Sequence, residues 1–191
     1  MAGDVGLVNA LQGDVSYQGK EGQVRKAQAY MRLRHGDKIT LASGASIRIS
    51  YTTVSRQESW FGPGVFVTTS AGGESLKGNK PDVVQLPATV PQKLARISEM
   101  MHISSVGGVV VRSGKAQTSA SKEEVADAMA TYESMRATAT PSDVMPELFL
   151  YAVFEEHGMV DDLKVVARNM LARQPENPDI QQLAKAALSA R

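Results

Sequence analysis

The chain has 191 residues, 42% of them hydrophobic and 21% charged, with 21 Lys+Arg against 20 Asp+Glu and no cysteine. That balance excludes a disordered charged chain, and the missing thiols exclude disulfides, thiolate metal sites and cysteine nucleophiles. No apolar run approaches the roughly 18 residues a membrane-spanning helix needs, and a net charge of +1 argues against a dedicated nucleic-acid binder.

Along residues 3–67, short stretches rich in Val, Ile, Thr and Tyr are punctuated by Gly13-Asp14, Gly19, Gly22, Gly36-Asp37, Ser43-Gly44 and Gly62-Pro63-Gly64. This spacing predicts an all-β region. Strands are expected at 5–8 and 15–17, on either side of the Gly13-Asp14 turn. Alternation over 45–51 puts Ala45, Ile47, Ile49 and Tyr51 on one face and Ser46, Arg48 and Ser50 on the other. Residues 65–69 read as a further strand. Residues 70–91 read as a connecting loop that returns one edge strand near Val83-Val84. Pro91 is placed to open a helix at its first position, with Leu94, Ile97, Met100 and Met101 as its stripe. The β-branched run 106–111 predicts a strand, and 113–119 a polar, mobile segment.

Beyond Ala120 the pattern becomes helical. Ser121 and Glu124 have the spacing of a capping box, followed by a helix over 122–137 whose apolar face is Val125, Met129, Tyr132 and Met135. Leu148, Leu150, Tyr151, Val153 and Phe154 make the next helix, over 146–157, apolar on most of its circumference, which predicts burial on several sides. Gly158 ends it. A helix over 160–173 turns Leu163, Val166, Ala167, Met170 and Leu171 inward. Another begins near Asp179 with Ile180, Leu183, Ala187 and Leu188.

Residues 144–177 resemble a single tetratricopeptide repeat, about 34 residues long with two antiparallel helices. With Pro175 on the repeat's proline, Leu150, Phe154, Gly158, Ala167 and Asn177 take the family's large apolar, aromatic, glycine, small and turn positions. Tyr151, Leu163 and Met170 stand where the family has small residues, which implies a looser helix approach. The stretch 8–15, then Leu33 to Ile39 and Gly44 to Ile49, resembles the FecR domain family over residues 5–69. That resemblance implies a β-solenoid-like or two-layered sheet module in the bacterial envelope. Met1-Ala2-Gly3-Asp4 opens without a charged or apolar leader, which fits either a cytoplasmic protein or a mature chain whose signal peptide has been removed, and the FecR resemblance implies the second, periplasmic, alternative.

The expected organisation is α+β: a β module at 1–69, a bridging segment at 70–120 with a helix and a strand, and a helical region at 121–191. Residues 1–120 hold 14 Lys+Arg and 8 Asp+Glu, residues 121–191 hold 7 and 12, so a basic half of +6 precedes an acidic half of −5. Catalytic signals are sparse. His35, His102 and His157 are scattered, and Glu155-Glu156 and Asp161-Asp162 read as solvated helix ends beside Gly158. No nucleophile elbow or phosphate loop is present. No cofactor and no metal site are expected. The candidate binding face is Arg34, Arg48, Arg56 and Trp60, basic groups with an aromatic ring suited to a sugar face or an anionic polymer; against this, a lone Trp in a small β module commonly anchors its core. The expected function is a non-catalytic envelope scaffold or adaptor that binds a protein partner. The alternatives are a module for peptidoglycan or another glycan, and an enzyme with a site assembled from distant residues.

Overall fold

A computed structural model describes residues 3–93, 95, 96, 99 and 119–190. The fold is α+β, and the chain divides into two compact units, Met1–Ala95 and Arg96–Arg191. The expected strand at 106–111, the polar segment at 113–118, and the stripe residues Leu94, Ile97, Met100 and Met101 lie outside the described residues.

The first unit carries ten strands: β1 (Asp4–Gln12), β2 (Val15–Gln18), β3 (Val24–Lys26), β4 (Arg32–Arg34), β5 (Lys38–Leu41), β6 (Ser46–Tyr51), β7 (Arg56–Phe61), β8 (Gly64–Thr69), β9 (Gly72–Lys77) and β10 (Asp82–Gln85). They form two five-stranded antiparallel sheets, ordered β10-β7-β6-β1-β4 and β3-β2-β5-β8-β9. This is the two-layered alternative and not a solenoid. The turns at Gly13, Gly36, Gly44, Gly62 and Gly78 each carry the chain from one sheet to the other. Gly13 shows why: its φ is +76°, and a Cβ there would lie 3.0 Å from the Ala45 Cα. Two of the tight hairpins use other residues. β6 and β7 close through 52–55, with Ser55 at φ 48°, and β8 and β9 close through Ser70-Ala71.

The expected alternation in β6 is observed, with Ile47, Ile49 and Tyr51 buried among Val8, Val15, Leu33, Ile39 and Phe66. Trp60 of β7 and Phe66 of β8 bridge the sheets, their rings stacked at 4.0 Å and 8°. The β module extends past Thr69, because β9 and β10 complete the two sheets; the stretch expected as a loop supplies one edge strand to each. Gly72 and Gly73 hid β9 from a reading based on residue preference.

A short helical stretch follows at 90–93, with Pro91 in its first turn as expected. The second unit contains α1 (Ser119–Thr138), α2 (Met145–Glu156), α3 (Val160–Arg173) and α4 (Pro178–Ser189). Each packs on the next, and the short connections make neighbours antiparallel. Ser119 is already helical, so Ser121 does not cap α1, and Glu124 instead meets His157 Nε2 at 3.2 Å. The inner face of α1 is Val125, Ala128, Tyr132 and Met135; Met129 is exposed. α2 is buried from Met145 to Glu155, matching its all-round apolar character. Gly158 ends it at φ 66°. The Asn177 side chain caps α4 by accepting from the Asp179 and Ile180 N–H groups at 3.0 and 3.4 Å. Ala184 takes the inward position expected of Leu188, which is exposed. No helix among the described residues is long and apolar enough to cross a membrane.

Candidate functional site

Strand alternation separates the four residues expected to share a binding face. In β7, Arg56, Glu58 and Trp60 share the side that faces the second sheet. Trp60 is only 3% exposed, so its ring is a core anchor and has no free face for a sugar. Arg48 lies opposite Ala10 and Ser59, on the other side of the sheet from Ile47 and Ile49. Arg34 sits on β4, which carries Arg32 and Arg34 on one side and buried Leu33 on the other. The Arg48, Arg56 and Trp60 face therefore does not form; a period of two cannot place residues 48 and 60 together when their registers differ by one.

Arg56 and Trp60 serve a different constellation, centred on Glu58. This carboxylate is fully buried and accepts from Trp60 Nε1–H at 2.9 Å, from the Gly73 N–H at 3.0 Å and from the Arg56 guanidinium. Because Gly73 is in β9, Glu58 ties one sheet to the other by hydrogen bonds where Trp60 and Phe66 do so by stacking. Beside it, Tyr51 is held protonated: burial raises the phenol strongly, and the negative charge of Glu58 raises it further. The Tyr51 hydroxyl nonetheless lacks a hydrogen bond of good geometry.

The helical unit has its own buried carboxylate. Glu147 of α2 is fully buried and receives Arg136 Nη1 of α1 at 2.9 Å, Arg173 Nε of α3 at 2.9 Å and the Tyr132 hydroxyl at 3.2 Å. The same arginines hold the 139–144 connection, Arg136 Nη1 donating to the Asp143 carbonyl at 2.6 Å and Arg173 Nη1 to the Pro141 carbonyl at 2.9 Å. One acid thus joins three helices. Glu155, expected as a solvated end, is instead 9% exposed and paired with Arg96, while Glu156 lies 3.9 Å from the same guanidinium. Both acid networks escaped the sequence reading, since their partners are far apart in the chain.

Among the described residues, one surface feature is lined by polar groups of β2, the turn after it, β3, an edge of one sheet, and β4, an edge of the other. It is a depression of about 320 Å³ lined by Tyr17, Lys20, Arg25, Arg32, Arg34 and Asp37 among others. Of the expected residues, Arg34 is the one that belongs to it. Asp4 orients the two β4 arginines, at 3.1 Å from Arg32 Nη1 and 3.6 Å from Arg34 Nε. Asp37 accepts the Arg34 backbone N–H at 2.7 Å. Burial raises the Tyr17 phenol, helped by Asp37 and opposed by Arg34 and Arg25. Among the described residues no group of three or more His, Asp or Glu has the arrangement of a metal site.

No family model matches this chain, and no curated protein matches it. Among solved structures, a chain described as "Cell surface anchoring domain" is similar at a TM-score of 0.34 and 18% identity, covering 41% of this chain and 99% of that one.

Proposed function

We propose that this chain is a non-catalytic adaptor of the bacterial envelope that binds a protein partner through an open sheet edge. The observation that carries the reading is β10. It pairs with β7 on one side and with no strand among the described residues on the other, and all four of its residues are exposed. Val83 and Val84 are 51% and 46% exposed, one on each side of the strand, so apolar contact is offered to both faces of an added strand. An edge of this kind, not blunted by lysine or proline within the strand, is a template for an extended segment of another protein. Buried charge in both units supports a scaffold role, because Glu58 and Glu147 are each engaged in holding elements together. The envelope location rests on the FecR-like sequence pattern of residues 5–69.

Site-specific cross-linking from β10 in intact cells tests the reading, comparing the native chain with the Val83→Lys/Val84→Lys variant. A protein partner cross-linked by the native chain and lost in the variant is expected. Contacts restricted to copies of the same chain, or a partner retained in the variant, would overturn it. Both substitutions are on exposed side chains, so unfolding midpoints should stay within about 0.5 kcal/mol of the native protein.

A further inference from the structure

The outward face of the sheet β3-β2-β5-β8-β9 goes beyond the adaptor reading, because β10 belongs to the other sheet and its edge offers a different chemistry. We infer that this face docks the acidic outer side of α1 of a second copy of the chain, head to tail.

Pairing register lays the face out. Lys26, Ser16, Thr40, Val65 and Lys77 lie opposite one another on five successive strands and form one row across the whole sheet. Val24, Gln18, Lys38, Val67 and Glu74 form the next row. Both point away from the core, since Ile39 between Lys38 and Thr40, and Phe66 between Val65 and Val67, are fully buried on the other side. The three lysines are exposed, and with Glu74 they give the face a charge of +2. Lysines on β3 and β9 blunt sheet edges against wrong pairing, but β5 is the central strand and Lys38 guards no edge. Among the lysines the face is apolar: Val65 and Val67 are half-buried and Val24 is 66% exposed.

A partner for this face must bring carboxylates together with some apolar surface, and the acidic helical half of the chain brings both. α1 packs on α2, and its other side exposes Glu123, Asp127 and Glu133 with Ala126 and Ala130 among them. None of these three acids, and none of the three lysines, is ion-paired with another described residue. The charges also follow one another in matching order. With strands about 4.8 Å apart, Lys26, Lys38 and Lys77 stand at roughly 0, 10 and 19 Å across the sheet. At about 1.5 Å per residue, Glu123, Asp127 and Glu133 stand at roughly 0, 6 and 15 Å along the helix. Differences of about 4 Å lie within the reach of the flexible four-carbon stem of lysine. Alanines let the helix approach the valines closely, a contact that a hydrated polyanion would not make. Each copy has one such face and one such helix, so the contact is heterologous and carries on from copy to copy.

Sedimentation velocity of the full chain at about 0.1 M salt, where charges more than about 10 Å apart are largely screened, tests this. Lys26→Glu/Lys38→Glu/Lys77→Glu and Glu123→Lys/Asp127→Lys/Glu133→Lys should each raise the self-dissociation constant at least about tenfold. All six substitutions in one chain keep the native net charge of +1 and should restore the native constant to within about threefold. A control, Asp161→Lys/Asp162→Lys/Glu176→Lys, shifts the net charge as much as the α1 set but leaves α1 intact, and should change the constant by less than about threefold. Carbodiimide coupling of mixed 15N-labelled and unlabelled chains should join peptides bearing the three lysines to α1 peptides as mixed-isotope pairs. Every substituted side chain is exposed, and recovery in the sixfold variant separates lost docking from lost folding. A native chain that stays monomeric up to about 1 mM, cross-links confined within single chains, no recovery in the sixfold variant, or a control as weak as the α1 set overturns the inference. A monomer that binds polyphosphate through the same lysines overturns it in favour of a polyanion. None of these results bears on cross-linking from β10, so the two readings fail separately.

Discussion

Glu147 shows how much one side chain does in the helical unit. Its carboxylate is met by groups from α1 and α3 at once, and removing it leaves Arg136 and Arg173 facing each other across a buried gap. Breaking a buried ion pair costs about 3–5 kcal/mol when the orphaned charge stays buried. Arg136 and Arg173 keep 18% and 30% of their side-chain exposure, so part of that charge is recovered by solvent. Glu147→Ala is therefore expected to destabilise the helical unit by about 2–3 kcal/mol, read as a lower urea midpoint in circular dichroism at 222 nm. The buried tyrosines give a pH signature. Burial raises the phenols of Tyr51 and Tyr151 above their ordinary 10.0, so the folded protein holds those protons more tightly than the unfolded chain. Stability from this source is intact below about pH 10 and falls as pH rises above it, because the unfolded state alone releases the protons. Tyr51→Phe and Tyr151→Phe should each flatten the alkaline loss between about pH 9 and 11. At neutral pH they should differ: Tyr151 donates to the Leu183 carbonyl at 3.1 Å, worth about 1 kcal/mol, whereas the Tyr51 hydroxyl has no such bond to lose.

At the scale of elements, β9 is the test of how tightly the two sheets are joined. A Cβ on Gly73 would lie 2.5 Å from Trp60 Cζ2 and 2.9 Å from Glu58 Oε2, both belonging to rigid, buried groups. Gly73→Ala must push the strand away or break the Glu58 hydrogen bond, and a loss of about 1–3 kcal/mol is expected. Trp60 is the single tryptophan, so its fluorescence during urea unfolding reports that loss directly. The elements also show where the sequence was legible. β6, α2 and α3 were expected within a residue of their observed limits, because alternation and helical periodicity are strong where one face is buried. β7 carries Arg56, Gln57, Glu58 and Ser59, a polar run with no strand signature, and forms because β6 pairs with it along its length. α1 begins earlier than its capping box suggested, and Met129 and Leu188 faced outward while smaller alanines took the inner positions. Helix packing favours the residue that lets neighbours approach, whereas hydrophobicity alone favours the larger one.

For the whole molecule, each unit has its own core, one around Ile49, Trp60 and Phe66 and the other around Leu148, Tyr151, Ala167 and Leu183. Glu147→Ala should accordingly move the 222 nm transition and leave the Trp60 transition in place. A basic half of +6 and an acidic half of −5 also make head-to-tail attraction between copies an electrostatic expectation. Sedimentation velocity should show concentration-dependent association at about 0.01 M salt, where the Debye length is about 30 Å, and a monomer at about 1 M, where it is about 3 Å.

The sequence by itself determined the α+β class, the passage from strands to helices, most of the helix limits and the separation of basic from acidic halves. These follow from local periodicity and composition, which need no knowledge of what touches what. The tertiary structure alone decided that Trp60 belongs to the core, that Glu58 and Glu147 are buried junctions, and that Arg34 lines the same depression as Tyr17 and Arg25. Each of those facts depends on pairing register or on contacts between distant segments, and a one-residue difference in register sends a side chain to the opposite face of a sheet.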